Sequence, residues 1–211
     1  TGITVSFNSA PLEWWLSLPI IVIYPLLFGW VSYQTATKLA EHKRRLQVMS
    51  TRDGMTGVYN RRHWETMLRN EFDNCRRHNR DATLLIIDID HFKSINDTWG
   101  HDVGDEAIVA LTRQLQITLR GSDVIGRFGG DEFAVIMSGT PAESAITAML
   151  RVREGLNTLR LPNTPQVTLR ISVGVAPLNP QMSHYREWLK SADLALYKAK
   201  KAGRNRTEVA A

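Results

Sequence analysis

The 211 residues are 43% hydrophobic and contain no repeated or low-complexity segment, which leaves room for one good-sized domain plus a smaller segment. Cys75 is the only cysteine, which excludes an internal disulfide and predicts an inert side chain in a reducing compartment. The net charge of +5 would by itself admit a nucleic-acid binder. The surplus is local, however: Lys38, Lys43, Arg44, Arg45 and Arg52 lie close together.

In chain order, the start at Thr1 rather than Met predicts a fragment or a processed product. From Trp14 to Tyr33 no residue is charged. A helix of about 20 such residues covers about 30 Å, the thickness of a bilayer's hydrocarbon core. Trp14 and Trp15 at one end and Trp30 and Tyr33 at the other match an interfacial belt, and the basic cluster that follows marks the cytoplasmic side. Pro19 and Pro25 would kink this span, which membrane helices tolerate. Residues 1–34 are therefore expected to end a membrane domain. Residues 35–50 continue as a connecting helix, with Leu39, His42, Leu46 and Met49 at heptad-like spacing.

Residues 51–211 read as a soluble domain. A turn-rich stretch from Asp53 leads into a helix over 61–79, with Trp64, Met67, Leu68 and Phe72 on one side. The run from Leu84 to Asp90 reads as a central strand, and 102–120 as a helix with Ile108, Leu111, Leu115 and Leu119 inward. Strands over 124–128 and 132–138 flank Gly129-Gly130, which predicts a tight hairpin with a type I′ turn. A helix over 142–159, a strand over 167–176 and a helix over 185–202 complete the chain. The order is that of the split βαβ arrangement: an α+β fold with an antiparallel sheet, helices mainly on one face, and the other free for a ligand.

Chemistry concentrates at the strand ends. Asp131 and Glu132 leave the Gly-Gly turn together, and Asp88 ends the central strand, with Asp90 on the same face. In this topology the first strand lies beside the hairpin, so Asp88 approaches Asp131. Converging carboxylates suit a hard divalent cation held together with substrate phosphates. The turn at His91-Phe92-Lys93 opens a helix whose free N–H groups can cradle phosphate, with Lys93 as a point charge. Asn96 and Asp105 carry groups that could read a purine edge or simply cap helices.

These stretches resemble the GGDEF family of diguanylate cyclases: Asp88 to Asp97, Gly100 to Asp105 and Gly129-Gly-Asp-Glu-Phe133, with Asp53 to Arg62 before them and Tyr197 to Asn205 after. The resemblance covers about residues 50–207 and, with the apolar span, extends to members carrying a MASE-type membrane sensor domain. It implies a ferredoxin-like, cyclase-palm fold and condensation of two GTP into cyclic di-GMP with release of two pyrophosphates. By motif position, Asp88, the Ile89 carbonyl, Asp131 and Glu132 would hold Mg²⁺, or Mn²⁺, two ions per active site. Asp131 would be the base for the ribose 3′-hydroxyl; many relatives have Glu there. Asn96, His101 and Asp105 would bind guanine and ribose. Phe92, Lys93, Lys200 and Arg204 would bind the triphosphate, with Lys93 or the metals stabilising the transition state. Each half-site holds one GTP, so a homodimer is implied, which the connecting helix would promote. Arg120-Gly-Ser-Asp123 matches an Arg-x-x-Asp inhibitory site for the product, with Arg151 as a second arginine. The expected location is the bacterial inner membrane with the catalytic domain in the cytoplasm.

Two other readings compete. A degenerate domain that only binds GTP or cyclic di-GMP should show broken signature residues, and none is broken. A nucleic-acid binder should interleave basic residues with exposed aromatics along one face, whereas the basic residues here cluster beside the apolar span or at phosphate-site positions.

Overall fold

The structure, a computed structural model, describes residues 18–49, 51–159, 161, 164 and 167–210, and within its first helix the side chains of 23–39. It divides into two compact units, Thr1–Ser50 and Thr51–Ala211.

The described part of the first unit is one helix, α1 (Leu18–Met49), with Pro25 inside it. The expected span and connecting segment are thus a single continuous helix from Leu18, while Trp14 to Ser17 lie outside the described residues. The transmembrane expectation is not supported. Among the described residues no helix is long and apolar enough to cross a membrane. Tyr24, Pro25, Trp30, Ser32 and Tyr33 dilute the apolar stretch. Leu39 is exposed, and the other three heptad positions fall outside the described side chains.

The second unit runs β1 (Tyr59–Asn60), α2 (Arg61–His78), β2 (Ala82–Ile89), α3 (Phe92–Trp99), α4 (His101–Thr118), β3 (Val124–Arg127), β4 (Glu132–Ser138), α5 (Ala142–Thr158), β5 (Ile171–Pro177), α6 (Tyr185–Lys201) and β6 (Thr207–Val209). The six-stranded sheet has the order β1-β3-β4-β2-β5-β6. The inner four strands pair antiparallel and form the expected split βαβ core; the short outer strands β1 and β6 add on parallel.

Local chemistry sets the element ends. The Asn60 side chain accepts from the His63 N–H and starts α2, and Asn79 ends it in the left-handed region. Along α2, Trp64, Leu68, Phe72 and Cys75 recur at spacings of three and four, and all are buried. Burial holds the Cys75 thiol up at about 12, with Glu71 adding to the effect, so it is inert as expected.

Alternation along β2 divides the interior into two cores. Leu85, Ile87 and Ile89 pack with α4 and α5, whereas Leu84 and Ile86 pack with α2 and α6. Helices therefore cover both faces, which corrects the expectation of one free face. The reason lies in β2 itself, whose eight residues are all buried and leave no face for water.

At Gly174 on β5, an added Cβ would collide with the backbone of Ala192 and Leu196 in α6. Glycine there lets α6 lie directly on the sheet. Gly174→Ala is expected to destabilise the domain by about 1–3 kcal/mol, read from urea unfolding; an unchanged midpoint would contradict this packing.

Candidate functional site

Strand pairing assembles the acidic cluster. In the β2–β4 ladder Asp88 lies opposite Glu132, and the Ile89 amide donates to the Asp131 carbonyl at 3.4 Å. Asp88 is only 8% exposed. Its Oδ2 lies 2.7 Å from Lys200 Nζ, which reaches over from α6. Burial pushes the Asp88 carboxyl above its ordinary range; Lys200 pulls it down, and the charges of Asp131 and Glu132 push it up again. Asp88 and Lys200, expected at the metal and the triphosphate respectively, thus engage each other.

The loop carrying Asp131 is not the expected type I′ turn. Neither Gly129 nor Gly130 has a positive φ. The strands close instead through Phe128 and Gly129, whose amides both donate to the Glu132 carbonyl, at 2.8 and 3.2 Å. Arg127 shapes this wider loop. Its Nη2 and Nε donate to the Gly130 carbonyl at 2.7 and 3.1 Å, while Nη1 reaches Asp53 Oδ1 at 3.2 Å. Burial works against the Asp53 charge, but the Thr56 hydroxyl and amide, with Arg127, outweigh it and hold the carboxyl below its usual range. Sequence reasoning gave neither Asp53 nor Arg127 a role, because contacts across 74 residues have no local signature. Gly130 leaves room, since a Cβ there would meet nothing within 4 Å, whereas one at Gly129 would lie 3.1 Å from Glu132 Oε2.

Beyond Asp88, Asp90 turns into the protein. His91, in the left-handed region with φ 58°, redirects the chain into α3. Phe92 packs on the core beside α4, and Lys93 is exposed in the first turn of α3. Asn96 is half-buried against Gly104 of α4, and its Oδ1 has no hydrogen-bond partner among the described residues. A side chain at Gly104 would occupy the place of that amide. The structure thus brings Asn96 beside the turn of α4 that carries Asp105. His101 and Asp105 are exposed on α4, and Arg204 is exposed just after α6.

Arg151 of α5 comes together with Arg120 and Asp123 of the turn after α4. All three line one cavity of about 230 Å³, with Met137 and Thr140 at its wall. Asp123 accepts from the Arg120 amide at 2.9 Å, and burial raises its carboxyl, offset in part by Arg120.

The family model described as "Diguanylate cyclase, GGDEF domain" matches residues 50–206. Among curated proteins, the chain is 35% identical over 159 residues to the diguanylate cyclase DosC of Escherichia coli K12, covering 74% of this chain and 34% of that protein. It is 30% identical over 193 residues to the cyclic di-GMP phosphodiesterase NbdA of Pseudomonas aeruginosa, covering 85% of this chain and 25% of that one. The chain therefore spans about a third of the length of the first of these relatives and a quarter of the second. Among solved structures it is similar to the GGDEF domain of DgcB from Caulobacter crescentus in complex with c-di-GMP, at a TM-score of 0.72 and 30% identity, covering 76% of this chain and 96% of that one.

The raised Asp88 carboxyl has a stability consequence. Its folded form favours the proton, so the ionised group is a burden that builds up as pH rises from the unfolded to the folded titration, is complete above the folded one and vanishes below the unfolded value. Asp88→Asn is expected to keep or raise the thermal midpoint at pH 7, with any gain fading as the pH is lowered through the carboxylate range. A drop of several degrees at pH 7 would contradict this electrostatic reading.

Proposed function

The chain belongs to the GGDEF family of diguanylate cyclases, and we propose that it condenses two GTP into cyclic di-GMP and two pyrophosphates as a homodimer. The observation that carries this reading is the register that sets Asp88 opposite Glu132 beside an intact Gly-Gly-Asp-Glu-Phe loop, with Lys200 drawn in from α6.

A divalent cation fits the residues present. Among the described residues no group of three or more His, Cys, Asp or Glu side chains could hold a metal unaided. Yet the Asp88 carboxyl feels both Asp131 and Glu132, and added positive charge would relieve all three. Asp88, the Ile89 carbonyl, Asp131 and Glu132 offer only hard oxygens, which suits Mg²⁺ or Mn²⁺ completed by substrate phosphates. When bound, two such ions would supply charge neutralisation for phosphoryl transfer.

The chain's own groups do the rest. Asp131, presented by a loop with open space at Gly130, accepts the proton of the ribose 3′-hydroxyl. Lys93 stands exposed at the start of α3 to offset charge on the phosphates, beside Phe92 and the amides of that first turn. Lys200, released from Asp88, and Arg204 grip the triphosphate. Asn96, with its unpartnered Oδ1, together with Asp105 and His101, recognises guanine and ribose. One chain offers one such half-site, so closing the product ring requires a second copy facing it.

Regulation and location belong to the same reading. The cavity of Arg120, Asp123 and Arg151 binds the product and restrains the enzyme; an Arg fork suits both phosphate and a guanine edge. The first unit anchors the chain in the bacterial inner membrane, with the catalytic domain in the cytoplasm and a MASE-type sensor domain upstream. Supporting this, Tyr24, Leu26, Phe28, Trp30 and Tyr33 are each 60% exposed or more, a burden in water. A domain that binds nucleotide without turning it over is the second reading, favoured by the likeness to a protein named as a phosphodiesterase.

Incubation of the dimeric chain with GTP and Mg²⁺, followed by chromatography, is expected to yield cyclic di-GMP, and Asp131→Asn to yield none. Arg120→Ala should leave the initial rate in place and weaken inhibition by added product. GTP binding without product from a verified dimer would favour the second reading, and unchanged inhibition in Arg120→Ala would remove the regulatory site.

A further inference from the structure

Asp90 is one of two carboxylates among the buried residues, 5% exposed, and the proposed chemistry gives it no part. Both of its oxygens are taken. Oδ1 accepts from the Ser172 hydroxyl on β5 at 2.6 Å, and Oδ2 accepts from the Asn205 amide at 2.8 Å. The second bond spans 115 residues and fastens the end of β2 to the turn that follows α6.

That turn is unusual. Gly203, Arg204 and Asn205 all have positive φ, at 109°, 62° and 46°. For Arg204 the left-handed region is unfavourable by about 1–2 kcal/mol, so something must hold it there. The Arg204 amide donates to the Ala199 carbonyl at 3.0 Å, and the Arg206 carbonyl accepts from Val173 at 2.9 Å. Between these two backbone ties, the Asn205 amide is held by Asp90 alone. A buried carboxylate accepting a backbone N–H is a strong, charge-assisted bond.

We propose that Asp90 is a positioning residue for the nucleotide grip: through Ser172 and the Asn205 amide it locks the left-handed turn that presents Arg204 and closes off the end of α6 carrying Lys200. The inference rests on the reading of Arg204 and Lys200 as triphosphate contacts. Asp88 and Asp90 then divide the work of one strand end. Asp88 faces Lys200 and the open site, and Asp90 anchors the segment from which the cations come.

The test is direct binding of a non-hydrolysable GTP analogue with Mg²⁺ to the wild-type chain and its variants, each first checked for a folded thermal transition. Asp90→Ala is expected to weaken binding about tenfold, the loss typical of a hydrogen bond to a charged group. Asp90→Asn, which keeps an acceptor for the Asn205 amide, should restore most of it, and Ser172→Ala should give a smaller loss. In an Arg204→Ala background, Asp90→Ala should cost little more, because the group it positions is gone. Tight binding by folded Asp90→Ala, or an equal tenfold loss with and without Arg204, would overturn the inference. If Asp90→Ala does not fold, folded Ser172→Ala decides: wild-type affinity in Ser172→Ala, or a loss of equal size with and without Arg204, would also overturn it. A wild-type chain that binds no nucleotide would instead overturn the functional reading beneath it.

Discussion

The candidate site depends on the register of one strand pair. With β2 and β4 aligned so that Asp88 faces Glu132, the apolar alternation of β2 directs Leu84 and Ile86 toward α2 and α6 and Leu85, Ile87 and Ile89 toward α4 and α5. Asp88 continues the first row. A slip of one residue would send its carboxylate into the opposite core and bring an isoleucine to the site. Because β2 is buried along its whole length, such a slip cannot be accommodated by solvent, and the hydrophobic core thereby fixes the position of the charge.

That charge is held at a cost. Asp88 is buried and close to two further acids, and Lys200 offsets only part of the burden. A structure optimised for stability alone would avoid the arrangement. Around it the chain spends well-formed interactions on holding backbone in place: Arg127, tied to Asp53, fixes the Gly130 carbonyl, and Asp90 fixes the Asn205 amide. Acidic residues facing the open site and neighbours satisfied within the protein form two distinct populations. Their distinction lies in partners rather than in residue type.

Much of this was legible in the sequence. The strand and helix stripes are strong because β2 carries an unbroken apolar run from Leu84 to Ile87 and α2 and α4 bury one side each, so the order of elements and the split βαβ core follow from periodicity and topology. The adjacency of Asp88 to the Gly-Gly loop followed from the same topology. Other features were not legible. The Gly-Gly pair suggested a two-residue turn, but Arg127 stabilises a wider loop in which neither glycine needs positive φ. The second layer of helices was missed because α2 and α6 are distant in sequence and meet only over the sheet. Strands β1 and β6 are two and three residues long, too short to show a period. Alternation places Asp90 on the same face as Asp88; only the bonds of its two oxygens separate their roles.

The charge balance at Asp88 is the most direct point of attack. Carbon-13 NMR of the Asp88 carboxyl, followed across pH, is predicted to show a titration above the ordinary aspartate range in the free protein. Addition of Mg²⁺ with a non-hydrolysable GTP analogue should move that titration down. A carboxyl that titrates at or below the ordinary range, and does not respond to the metal and nucleotide, would contradict the account.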